Sequence, residues 1–497
     1  MADRVTSLFR TVLHPVLSTL RLHAGRERLP VSLHHAVPAV QLSGVILARP
    51  TSASTCVAEA MYGGVYAFAG TSITALPDTV FSSASASASA AWKAELRRMD
   101  WLASFRASAR PLHGLLALRL LAGWMKQPPP RQSRAGQIAT LFNLAVDAPA
   151  IAAAQSPAAV ALAAAAILRA QVPVLRMKPA TPAEAFARAM ALIAAHLSTR
   201  SSDTHRLRII TELAEALDAL LHNDGSMRDG TIDDLVQLQG ELATVMEGLE
   251  RAEDIISPQL LSLRNRINAY LSMLSRTDGT LAFAEAAGLR SHVSLHALRE
   301  SALAADAGHA RLVGTQTLAF LALSSPRQSV PLRMEVTDAG RPLLWLEQVQ
   351  GTGAMNGLSS TLICAAGGSL AEVQGPVGEG QRQHLAIFLS GDGSDLRVED
   401  VSPGHAAVSY LLHVPEQTKL STTHHGTAAM IVPASGAAWQ LLVRAGSVEL
   451  ESGCLRIVAE AGNPNPLNFA LKRVSRQDRP ARPGKQRGRE NAAPRLL

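Results

Sequence analysis

From Trp92 to about Arg276 apolar residues recur at intervals of three and four, with Leu, Ala, Ile and Met on the repeating positions. That spacing predicts helices, among them 111–126, 135–146, 182–197, 203–221 and 232–249. Pro128-Pro129-Pro130, Pro149, Pro179 and Gly225 read as breakers between them. The short connections favour antiparallel neighbours, so an array of roughly eight helices is expected.

After about Pro326 the pattern changes. Strand-like runs at 343–349, 385–389, 428–432, 439–443 and 455–458 are separated by Gly, Asp, Asn and Pro. Ser390-Gly391-Asp392-Gly393 and His424-His425-Gly426 are expected hairpin connections, because Gly and Asp tolerate positive φ. Helices followed by strands argue for segregated domains rather than a parallel α/β sheet. Before Ala90, turn-formers and prolines alternate with short apolar pieces, and 82–91 reads as a Ser/Ala linker. The segments expected are thus an irregular 1–90, a helical 91–325, a β domain at 326–475 and a solvated tail at 476–497.

Composition narrows the class. With 497 residues, 47% hydrophobic and 18% charged, the chain can bury two or three cores, which excludes wholesale disorder. Cys56, Cys364 and Cys454 are too far apart for a zinc clip or a redox pair, and no disulfide framework is implied. Arg4, Arg10, His14, Pro15 and Arg21 interrupt the first apolar stretch, so no secretory signal is expected. The most apolar run, 157–168, stops at Arg169, short of the ~20 residues a spanning helix needs, which predicts a soluble, cytoplasmic chain without a membrane span.

The net charge of +7 is not spread evenly. Residues 472–497 hold nine Lys or Arg against Asp478 and Glu490, so the remainder is neutral and the basic balance describes a tail. Such a tail binds anionic polymer without sequence selectivity or aids solubility. No stacking aromatics are interleaved, so nucleic acid is not the expected partner.

Several motifs recur in an order that resembles the bacterial heparinase II/III family of polysaccharide lyases. At the front these are Tyr66-Ala67-Phe68-Ala69-Gly70, Trp92-Lys93-Ala94-Glu95-Leu96, Asp100-Trp101-Leu102, Phe105-Arg106 and Trp124. The stretch around Asp224-Gly225 is similar to that family's Asp-Gly-Gly-His loop, and Asp278-Gly279-Thr280-Leu281-Ala282 to a second Asp-Gly loop. In the C-terminal part the resemblance lies in Leu389 to Asp400, Tyr410 to Pro415, and Phe469-Ala470-Leu471-Lys472-Arg473. The resemblance implies an α+β multidomain fold, an incomplete (α/α) toroid followed by an antiparallel β-sandwich. It further implies β-elimination on a uronate-containing acidic polysaccharide held in the inter-domain cleft. That reaction needs a carboxylate neutraliser, a base and an acid, roles that Asn, His, Tyr and Arg supply.

Position by position, the chemistry is largely substituted. Met227 stands where the family's loop histidine would fall, and a thioether exchanges no protons. Asp229-Gly230-Thr231 replaces Ser-Arg-Asn, and Ala284-Glu285-Ala286 replaces Phe-Asn-Gly, setting a carboxylate where it would repel a uronate. Gln328 takes an imidazole position ahead of Leu332 and Glu335, Ser359 takes another, and the stretch 374–383 lacks two further histidine elements. His413 is the surviving family imidazole and the candidate catalytic residue, although its partner has become Leu411. Arg228 is the candidate substrate-binding cation, with a planar fork suited to carboxylate or sulfate. His384 is either a substitute or a surface-strand residue.

Tyr270 aligns with an apolar family position and is expected in the core. Asp224 and Asp278 are explained by turn chemistry. His424-His425 is explained by its turn, and His292 and His296 lack an accompanying Glu, so neither a metal nor a cofactor is predicted. The expected function is a heparinase II/III-like lyase homologue with a substituted site. The alternatives are a non-catalytic anionic-glycan-binding or scaffold protein, or display of the tail to an acidic partner. A polysaccharide ligand favours the periplasm or cell envelope, against the cytoplasm inferred from the N-terminus.

Overall fold

The computed structural model describes residues 42–49, 54–82, 88–108, 110–127, 132–199, 203–252, 254, 256–284, 301–304, 306–322, 332–350, 359–376, 382–401, 409–423, 425–451, 453–459 and 465–474. The chain divides into two compact units, Met1–Ala269 and Tyr270–Leu497.

The first unit opens with α1 (Cys56–Tyr62) and a hairpin of β1 (Val65–Phe68) and β2 (Thr71–Thr74), in the segment expected to be irregular. Its turn puts Ala69 and Gly70 both at positive φ, 47° and 71°, as a two-residue hairpin requires. Alanine is not a residue that announces such a turn, so the hairpin is hidden in the composition. The Ala69 N–H donates to Glu95 Oε2 at 2.7 Å, and Trp92 Nε1 donates to the Tyr66 carbonyl at 3.2 Å. The two front motifs are therefore one packed structure.

Nine helices follow among the described residues: α2 (Ala90–Arg98), α3 (Leu102–Ala107), α4 (Pro111–Lys126), α5 (Arg134–Ala153), α6 (Pro157–Leu175), α7 (Pro182–Ser198), α8 (Asp203–Leu220), α9 (Ile232–Arg251) and α10 (Pro258–Leu274). Ser89, Ser133, Ser156, Thr181 and Thr231 cap α2, α5, α6, α7 and α9, each accepting from a first-turn N–H. Each such cap contributes about 1 kcal/mol. α5 packs against α6 and α7, and α7 in turn against α8 and α9.

Pro149 does not break α5, which runs to Ala153. A proline withholds the N–H that the carbonyl four residues earlier would accept. Here that carbonyl belongs to Ala145, and the Ser198 hydroxyl donates to it at 2.6 Å. α6 extends past Arg169 and is, by length and composition, apolar enough to cross a membrane. Half of it is buried inside the first unit, with Ala163, Ala164, Ala166 and Ile167 inaccessible, which is the placement of a core helix.

Residues 42–49 cross these helices. Leu47 lies so close to Gly248 of α9 that a Cβ there would meet it at 2.2 Å. The buried Asp147 carboxylate sits between Arg49 at 2.9 Å and Arg106 at 3.3 Å. Burial raises the Asp147 pKa, and the two guanidiniums offset this in part.

The second unit holds two eight-stranded antiparallel sheets. The strands are β3 (Ala302–Ala304), β4 (His309–Val313), β5 (Thr317–Ala322), β6 (Arg333–Asp338), β7 (Arg341–Gln350), β8 (Ser359–Ala365), β9 (Gly368–Pro376), β10 (Arg382–Ser390), β11 (Asp395–Val401), β12 (Ser409–His413), β13 (Lys419–Thr422), β14 (Ala428–Val432), β15 (Trp439–Arg444), β16 (Gly446–Glu451), β17 (Cys454–Ala459) and β18 (Leu467–Arg473). One sheet runs β13-β14-β15-β18-β11-β10-β9-β8 and the other β16-β17-β12-β7-β6-β5-β4-β3. Leu344, Leu346, Tyr410 and Leu412 of the second share one core with Leu385, Ile387, Trp439 and Phe469 of the first, which makes the pair a sandwich.

Among the described residues of this unit the first strand is at Ala302, well before the expected boundary at 326. Leu318 to Leu321 are all buried, so β5 shows no alternation, and its Ala/Leu composition reads as helix. The tail 476–497 lies outside the described residues.

The β10–β11 hairpin is held by Asp392, whose carboxylate accepts from the hydroxyls of Ser390 and Ser394 at 2.6 and 2.7 Å and from the Ser394 N–H at 3.0 Å. The Ser390 bond, then those of Ser394, lower its pKa to about 2. A depressed folded pKa gives stability that is present above the unfolded value and lost as pH falls through the folded one. Asp392→Asn is therefore expected to cost about 1 kcal/mol or less at neutral pH after solvent screening, with the difference vanishing as pH approaches 2 in acid titrations of denaturant stability. Ser198→Ala is expected to cost about 1–3 kcal/mol by orphaning the Ala145 carbonyl. Adding Pro149→Ala, which returns the missing N–H, should recover part of that loss in a double-mutant cycle.

Candidate functional site

Two helices end in turns of the same construction. After α8, Leu221 bridges Met227, His222 N–H donates to Ser226 O at 2.9 Å, and Arg228 N–H donates to Leu220 O at 2.9 Å. After α10, Ser275 bridges Leu281, Arg276 N–H donates to Thr280 O at 2.7 Å, and Ala282 N–H donates to Leu274 O at 2.9 Å. Asp224 Oδ1 accepts from the Ser226 N–H and hydroxyl at 2.9 and 2.6 Å, and Asp278 Oδ1 accepts from those of Thr280 at the same two distances. Both aspartates thus serve turns. Gly225 and Gly279 take φ of 89° and 84°, and a Cβ on Gly225 would stand 2.2 Å from Arg266 O. Glycine is required there.

In the first turn Met227 Sδ comes within 3.0 Å of where a Gly230 Cβ would lie, so its side chain lies against the chain leading into α9. Thr231 is the α9 cap, in a reciprocal box with Asp234. Arg228 is exposed.

In the second unit the turn after α10 lies on the outer face of the β3-to-β16 sheet. Arg276 makes a two-pronged bond to Glu335, Nε to Oε1 at 2.5 Å and Nη2 to Oε2 at 2.7 Å. Phe283, at a left-handed φ of 59°, stacks on His309 with centroids 5.6 Å apart and packs with Ala282, Leu318 and Phe320. The Tyr270 hydroxyl, on a side chain only 5% exposed, lies 2.9 Å from His309 Nδ1. A phenol and an imidazole can each donate or accept, so the two groups satisfy one another at this distance.

Tyr270 lies in the core, as expected, and its polar partner is not legible in the sequence. His309 lies in an alanine-rich stretch that reads as helix, and nothing in its spacing links it to Tyr270 39 positions earlier. His413 ends β12, opposite Trp345 of β7 and Cys454 of β17, and its ring stacks on Trp345 at 5.1 Å and 12°. His413 and the Tyr270–His309 pair belong to the second unit, Arg228 to the first. His384 is a half-exposed strand residue, its Nε2 3.8 Å from Glu372. Glu285, His292, His296, Gln328 and His424 lie outside the described residues. Among the described residues no group of three or more His, Cys, Asp or Glu is placed to hold a metal ion.

No protein-family model matches the sequence, and no curated protein does. Solved structures do. The chain is similar to heparan sulfate lyase HepC from Pedobacter heparinus, with a TM-score of 0.64 and 11% identity over 86% of this chain and 83% of that one. It is also similar to a heparinase III, with a TM-score of 0.64 and 11% identity over 89% and 88% of the two chains. A further heparinase III structure gives 0.61 and 9% over 95% and 91%. The fold is therefore that of the heparinases, a helical toroid followed by an antiparallel β-sandwich.

Tyr270→Phe removes one hydrogen bond without a cavity. It is expected to lower stability by about 1 kcal/mol, against about 3–5 kcal/mol for Tyr270→Ala, in equilibrium denaturation.

Proposed function

We propose that the chain is a heparinase II/III-like polysaccharide lyase homologue that binds a uronate-containing acidic polysaccharide and has lost the elimination chemistry from its first turn. The observation that carries this reading is the 221–227 turn. Its backbone and Asx bonds match those of its counterpart after α10, while the position where the resemblance expects an imidazole holds Met227. The exposed Arg228 beside it is the cation for a sugar carboxylate or sulfate, by a planar two-pronged bond. The fold shared with heparan sulfate lyases supports the polysaccharide as ligand.

A second reading rests on the Tyr270–His309 pair, a phenol on α10 hydrogen-bonded to an imidazole on β4. In that reading elimination persists with Tyr270 as the proton-transfer residue.

Purified protein incubated with heparan sulfate, hyaluronan and alginate separates the two. The first reading expects no rise in the ultraviolet absorbance of an unsaturated uronate, together with saturable binding that weakens with salt and falls roughly five- to tenfold in Arg228→Ala. Turnover that disappears in Tyr270→Phe would establish the second reading and overturn the first.

A further inference from the structure

The chain has five tryptophans. Trp92, Trp101, Trp124 and Trp439 are buried, whereas Trp345 is 40% exposed in the middle of a strand. Leu344 and Leu346 on either side of it point into the sandwich core, so alternation sends Trp345 to the outer face. On that face it stacks on His413 across to β12 and stands opposite Glu335 on β6.

Two charged pairs stand on the neighbouring positions of the same face. Glu335 is held by Arg276, and Arg333 pairs with Glu347, two positions along β7, at 3.1 Å. The face therefore offers a partly exposed indole flanked by an imidazole and by paired charges. A pyranose ring has the complementary form, with a C–H face that packs on an aromatic plane and a rim of hydroxyls that both donate and accept.

We propose that Trp345, backed by His413, is a stacking subsite for a pyranose ring of a polysaccharide. The proposal deepens the glycan-binding reading above and rests on it for the choice of ligand. The indole supplies contact area at low entropic cost, and the stack on His413 holds it in place before the sugar arrives.

The test is a titration of the full chain with heparan sulfate, hyaluronan and neutral xylan, following tryptophan fluorescence and its quenching by acrylamide. In the wild type, bound polysaccharide is expected to shield the exposed indole from the quencher. Trp345→Ala should weaken the binding roughly tenfold, and Trp345→Phe, which keeps an aromatic ring against His413, should recover part of it. Equal affinity in wild type and Trp345→Ala, or binding without shielding, overturns the subsite and leaves the acidic-glycan reading standing. Binding of xylan alone that Trp345→Ala abolishes supports the subsite and overturns the acidic ligand. Absence of binding to all three polymers overturns both.

Discussion

The last turn of α10 leaves carbonyls without helical N–H partners, and a buried cation meets two of them, one of which also accepts from the Ser275 N–H. Arg311, only 3% exposed, donates through Nη1 to Ser272 O at 2.9 Å and to Met273 O at 3.3 Å. Burial lowers its pKa, yet a guanidinium starts so high that it stays charged, and the helix end favours that charge. Arg311 sits on β4 two residues from His309, on the same face, so the bond that anchors the helix end also sets Tyr270 against His309. The Arg276–Glu335 fork fastens the following turn to β6, and Phe283 closes over the imidazole. Without the guanidinium, the helix end loses its bond to β4, the strand that carries His309.

The residues that carry the family resemblance prove to be scaffold. Trp92 and Glu95 hold the β1–β2 hairpin, Trp101 Nε1 donates to Leu96 O at 2.9 Å, and Arg106 meets the buried Asp147. In the sandwich, Asp392 builds a turn, and Asp400 takes the hydroxyl of the fully buried Tyr410 at 2.5 Å. Each of these costs stability when changed, because each satisfies a backbone group or a buried polar atom. Around Met227, the Asp224 bonds and the Thr231 cap hold the turn, and neither uses the Met227 side chain.

Much of the architecture could be read from period alone. α4 and β14 have the bounds their spacing predicts, and the switch from period near 3.6 to alternation marks the change from helices to strands. What escaped were elements whose signals are carried by tertiary structure. Pro149 looks like a breaker until Ser198 supplies its lost hydrogen bond from another helix. β5 looks helical because it is covered on both faces, and the front hairpin turns on an alanine at positive φ. The Tyr270–His309 pair escaped for the same reason, since its members meet only once α10 is laid against β4.

The two turns differ in how far their chemistry is tied to stability. Around Asp224, the backbone bonds, Gly225 and the Thr231 cap define the loop, and the Met227 side chain lies against Gly230. Around Asp278, Arg276 is tied to Glu335 and Phe283 to His309, and Tyr270 is both a core ring and a hydrogen-bonding partner. Loss of a side chain there removes packing and polar satisfaction together. The second turn is thus bound more tightly into the fold than the first.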